Sequence, residues 1–68
     1  MADTIRINGA PEPLAARTVA ELVAEKSETD GRGVAVALNG VVVRRADWAA
    51  TPLRAGDAVE IVRAMQGG

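Results

Sequence analysis

Few residues in this chain could do chemistry, and the ones that could stand at its end. The sequence closes on Gly67-Gly68, a short way beyond the apolar run Val59-Glu60-Ile61-Val62. A carboxylate carried on two glycines is sterically bare, because neither residue has a Cβ to crowd an incoming reagent. Such an end is expected to thread into a narrow active site and have its carboxylate activated there. The plainer expectation is a frayed, glycine-rich terminus with no task. The rest of the inventory is poor in reactive groups. There is no cysteine, histidine or tyrosine, and Lys26 is the sole lysine. Nine carboxylates (Asp3, Glu12, Glu21, Glu25, Glu28, Asp30, Asp47, Asp57 and Glu60) are scattered without the paired spacing that acid/base catalysis uses. Glu28-Thr29-Asp30-Gly31 faintly suggests a calcium loop but lacks the ligand alternation and the closing glutamate. It reads as a solvated loop, and no metal site is expected. The chain is expected to be a substrate of chemistry, not an enzyme.

Composition narrows the partners. Eight basic and nine acidic residues give a net charge of −1, which argues against a nucleic-acid partner. Trp48 is the single aromatic residue, so no platform for stacking bases exists. No apolar run approaches a membrane span and no signal peptide opens the sequence, so a soluble, cytoplasmic protein, monomeric alone, is expected. At 68 residues and 49% hydrophobic content the chain suits one small domain with an aliphatic core.

The elements that would hold this terminus follow from local patterns. Thr4-Ile5-Arg6-Ile7 alternates as a half-buried strand, and Asn8-Gly9 then signals a type I′ hairpin. Pro11 and Pro13 confine the returning strand to a sheet edge. Thr18-Val19-Ala20-Glu21 predicts a capping box, with Thr18 accepting from the Glu21 N–H and the Glu21 side chain reaching back to the Thr18 N–H. Val19, Leu22 and Val23 share one helical face, and Lys26 suits the last turn of the helix. Val34 to Leu38 reads as a strand with large residues on one face and alanines on the other. Asn39-Gly40 turns it into Val41-Val42-Val43, and Arg44-Arg45 closes that edge with charge, or else steers an acidic partner. Asp47 to Leu53 reads as a connector with a helical turn, in which Trp48 is a packing anchor. Ala55-Gly56-Asp57 launches the last strand, roughly Ala58 to Ala64.

One helix covers one face of one sheet, which makes an α+β domain. With prolines and arginines marking the edges, the Val- and Ile-rich last strand belongs in the middle, parallel to the first. This is the β-grasp, or ubiquitin-like, arrangement: a mixed sheet of about four to five strands on one helix. It predicts a domain over residues 1–64 and a flexible C-terminal Gly-Gly tail over 65–68. The expected core is Ile5, Ile7, Val19, Leu22, Val23, Val36, Leu38, Val59 and Ile61. Val62 then falls on the opposite face, where with Ala35, Ala37 and Val42 it forms either a docking patch for a partner or ordinary surface.

The order and spacing of several segments resemble the ThiS family of sulfur carrier proteins, which serve thiamine thiazole synthesis. These segments are Asn8-Gly9, Thr18-Val19 with Leu22, Gly33 to Gly40, Trp48, Leu53, Gly56-Asp57, Val59 to Val62 and the ending Gln66-Gly67-Gly68. Val43 departs from the family, which often has proline before the arginine matched by Arg44. The resemblance implies that an E1-like adenylyltransferase (ThiF-type) activates the Gly68 carboxylate, with Gln66 and Gly67 as the threading tail. Sulfur from a persulfide donor then displaces AMP to leave a thiocarboxylate, which thiazole synthase (ThiG-type) consumes. ATP and magnesium would belong to the activating partner, and no cofactor to this chain. The same ending occurs in the small subunit of molybdopterin synthase and in ubiquitin-like protein modifiers, so those readings stay open, as does an interaction domain with an idle tail.

Overall fold

The computed structural model describes residues 3–27 and 32–63. Among the described residues, five strands, one α-helix and one 3-10 helix follow in the order β1 (Thr4–Ile7), β2 (Ala10–Pro13), α1 (Val19–Lys26), β3 (Val34–Leu38), β4 (Val41–Val43), the 3-10 helix Arg45–Ala50 and β5 (Ala58–Arg63). The sheet order is β2-β1-β5-β3-β4, so the proline-bearing and arginine-terminated strands do lie at its two edges. β5 runs parallel to β1 and antiparallel to β3, which places the last strand at the sheet centre.

Both Asn-Gly turns adopt the positive φ that a type I′ hairpin requires, at 53° and 85° for Asn8-Gly9 and 51° and 84° for Asn39-Gly40. The helix begins as its sequence signals, with the Glu21 N–H donating to Thr18 Oγ1 at 3.2 Å. The reciprocal half of the capping box differs from expectation. Glu21 Oε1 accepts from the Arg17 N–H at 2.9 Å, one residue before the one expected. The segment around Thr18 is extended and paired with the connector: Val19 N–H donates to Thr51 O and Leu53 N–H to Arg17 O. That pairing fixes the direction in which the chain enters the helix and presents the Arg17 amide to the carboxylate. Lys26 leaves the helix end to pair with Glu12 of β2.

The core lies between sheet and helix and contains Ile5, Ile7, Val19, Leu22, Val23, Val36 and Val59, joined by Ala16, Trp48 and Leu53. Leu38 and Ile61, expected inside it, are only half-buried. The reason is length: eight residues make a helix about 12 Å long, too short to roof the whole sheet. Trp48 closes part of the remainder, its indole Nε1 donating to Val43 O at 2.9 Å. Among the described residues no buried side-chain polar atom lacks a hydrogen-bond partner. No described helix is long and apolar enough to cross a membrane.

Candidate functional site

Gln66, Gly67 and Gly68 lie outside the described residues, as do Ala64 and residues 28–31, the segment expected to be a solvated loop. What the structure does define is the strand leading to that end. On one side, β5 pairs with the full length of β3, from Val59 opposite Leu38 to Arg63 opposite Val34. On the other, β1 pairs only through Arg6 and Ile7, opposite Ala58 and Val59, before the chain turns away at Asn8. A strand at the centre of a sheet is thus held on both sides at its start and by one neighbour at its finish.

Two asparagine side chains complete the attachment. At the start of β5, Asn39 Oδ1 accepts from the Ala58 N–H at 2.9 Å, and the Asn39 N–H donates to Ala58 O at 2.7 Å. Asn39 Nδ2 also donates to Asp57 Oδ1 at 3.1 Å, while Asp57 Oδ2 accepts from the Arg54 N–H at 2.9 Å. Nearer the finish, Asn8 Oδ1 accepts from the Ile61 N–H at 2.8 Å and Asn8 Nδ2 donates to Ile61 O at 3.3 Å. Sequence reasoning reads both asparagines as turn residues only. The Asn-Gly signal reports a backbone conformation and says nothing of where a side-chain amide reaches 53 residues away.

The face of the sheet away from the helix brings together all four residues expected there. Ala35 sits opposite Val62, and Ala37 sits between Val42 on one side and Glu60 on the other. They line a shallow depression of ≈ 210 Å³, with Val62 59% and Val42 72% exposed. Glu60 also belongs to this face and is absent from the expected set, although the two-residue period of β5 that selects Val62 selects it too. Arg44 and Arg45 are exposed beside the β4 edge.

A second concavity is lined by Ile7, Asn8, Val34 and Ile61 together with Lys26, Glu12 and Arg63. Among the described residues no group of carboxylates is placed to hold a metal ion. The described part of the molecule thus offers a firmly held strand and a small apolar face beside it.

Comparison with known proteins accounts for this arrangement. The model of the ThiS family matches residues 5–68. The chain is 44% identical over 62 residues to the sulfur carrier protein ThiS of Thermus thermophilus, a match that covers 91% of this chain and 95% of that one. It superposes with a TM-score of 0.78 on the crystal structure of the thiamine biosynthesis protein ThiS from Geobacter metallireducens, at 35% identity over 96% of this chain and 99% of that one. The solution structure of a thiamine biosynthesis protein from the same organism gives 0.77 at 34% identity, covering 96% of this chain and 87% of that one. The chain therefore belongs to the ThiS family and has its β-grasp fold.

Proposed function

We propose that this protein is a sulfur carrier in thiamine thiazole formation, with the Gly68 carboxyl carbon as the atom that bears the sulfur. The observation that carries this reading is the family match, which runs through residue 68 and so includes the terminal glycines. The chemistry needs little from the chain itself. A carboxylate is a poor electrophile because it is anionic and lacks a good leaving group. An E1-like adenylyltransferase, holding ATP and magnesium, would let a Gly68 carboxylate oxygen attack the α-phosphorus, with pyrophosphate leaving. The resulting acyl-adenylate is attacked at carbon by the terminal sulfur of a persulfide, and AMP leaves. A thiol then cleaves the S–S bond of the acyl disulfide, forming a new disulfide with the donor sulfur and leaving the thiocarboxylate. Thiazole synthase would consume that sulfur and return the carboxylate.

The role of the folded body is affinity. Ordering each residue of the end costs about 1–2 kcal/mol of backbone entropy, and glycine loses the most. Contacts along a few small residues barely offset that cost, so the face of Val62, Ala35, Ala37 and Val42 is assigned to docking.

Intact-mass spectrometry tests the reading. The protein is incubated with the adenylyltransferase, ATP, magnesium, a persulfide donor and a thiol. The expected product has one oxygen replaced by sulfur, localised to the C-terminal peptide. Conjugates of high mass, linked to lysines of other proteins, would instead identify a protein modifier. An unchanged mass with active partner enzymes would refute the sulfur-carrier reading.

A further inference from the structure

We infer that Asn8 is a positioning residue for the reactive end: its side-chain amide takes the place of a β1 peptide group and holds the finish of β5. The inference rests on the reading that the terminus reacts, and extends it to a residue remote in sequence. In a parallel ladder, alternate residues of one strand donate to and accept from the other. Here the backbone does so as far as the Asn8 N–H, which donates to Val59 O at 2.9 Å. The chain then enters the hairpin turn at Asn8, where φ is 53°, and β1 has no further peptide to offer. The next groups due for pairing on β5 are the N–H and C=O of Ile61. Both are taken by the one carboxamide of Asn8, at 2.8 and 3.3 Å.

A carboxamide carries the same C=O and N–H functions as a peptide bond, so it can continue a ladder where the backbone cannot. Glycine would fit the Asn8 turn conformation as well, and aspartate tolerates it, but neither supplies both functions. The consequence is positional. With Asn8 in place, β5 is bonded on both flanks through Ile61, and the β3 pairing continues to Arg63. Without it, the N–H and C=O of Ile61 lose their partners, and the finish of β5 is held on the β3 flank alone, through Val62 opposite Ala35. The strand finish would open more often, and Val62 would lose its fixed place on the docking face. Asn39, which fastens the opposite end of the same strand, provides the internal comparison.

The test uses Asn8→Gly, Asn8→Asp and Asn39→Gly in the full-length protein. Amide hydrogen exchange and ¹⁵N relaxation are read first, on the isolated protein. In Asn8→Gly the Ile61 amide should exchange roughly tenfold faster or more, the scale of one lost hydrogen bond, with added motion at Val62 and Arg63. Asn8→Asp keeps an acceptor for the Ile61 N–H and should recover part of that protection. In Asn39→Gly the change should centre on Ala58. Adenylation kinetics are read second. Asn8→Gly should raise KM about three- to tenfold with kcat nearly unchanged, because the ordering cost is met on binding. Asn39→Gly, compared at a temperature giving equal folded fraction, should show the smaller KM change.

Unaltered exchange and relaxation at Ile61 to Arg63 in a folded Asn8→Gly protein would overturn the inference. So would opening of the strand with no change in KM, or an equal KM rise in Asn39→Gly. Absence of adenylation in the wild type would refute the sulfur-carrier reading and with it the positioning role, while exchange and relaxation would still report whether Asn8 holds the strand.

Discussion

The proposed docking face can be tested hardest at Val62. Val62 is 59% exposed and stands opposite Ala35 on the sheet's outer surface. Fully burying a valine is worth about 1.5–3 kcal/mol, so covering the fraction still exposed is worth about 1–2 kcal/mol. Val62→Ala removes part of that area and should weaken binding to the adenylyltransferase roughly fivefold. Val62→Asp removes all of it and adds a carboxylate that docking would strip of water without a partner, a further cost of about 1–3 kcal/mol. The sum, about 2–5 kcal/mol, predicts affinity at least about 30-fold lower. The fold should survive. The position is exposed and its backbone pairing with β3 is retained, so the cost to stability is about 1 kcal/mol, from poor strand propensity and the nearby Glu60. Calorimetric titration gives the affinity and a urea melt gives the stability. Ala35→Asp, across the ladder from Val62, should repeat the loss of affinity. Equal affinity for wild type and a folded Val62→Asp protein would refute the docking face. Loss at Val62 without loss at Ala35 would confine the contact to the end of β5.

Other predictions follow from the same structure. Deleting Gly68, or appending one alanine after it, should abolish ATP–pyrophosphate exchange with the adenylyltransferase. The first shortens the reach by about 3.3–3.6 Å and the second removes the glycine carboxylate; wild-type exchange in either would mean the terminus is not the reacting group. Both variants should melt like wild type, since the buried core described runs from Ile5 to Val59. Leu22→Ala should cost about 2–5 kcal/mol, because Leu22 is 4% exposed among Ile5, Val19, Val36 and Val59; an unchanged urea midpoint would contradict that packing. Trp48→Phe keeps an aromatic ring but removes the indole donation to Val43 O, which keeps its ladder pairing with Val36, so a loss of about 0.5–1.5 kcal/mol is expected in the same assay.

Much of this molecule is decided locally and is therefore legible in the residues. Positive φ at Asn8-Gly9 and Asn39-Gly40 is a property of those dipeptides, and the hairpins follow from it. Pro11 and Pro13 exclude β2 from the sheet interior wherever the rest of the chain goes. The two-residue period of β3 and β5 separates Val36 and Val59, which are buried, from Ala35 and Val62, which are not. Together these features imply that the last strand lies at the sheet centre.

What the tertiary structure decided are the matters of length and reach. Leu38 and Ile61 have the right period for the core, yet an eight-residue helix does not extend far enough to cover them. The connector pairs with the helix entry through Thr51 and Leu53, and so Glu21 caps Arg17 rather than Thr18. Trp48 becomes part of the core because its indole can satisfy its N–H on Val43 O. Above all, the bonds from Asn8 to Ile61 exist only because folding brings β1 beside β5. A side chain's rotamer reach is short, and no periodicity in the sequence encodes which distant peptide it will meet.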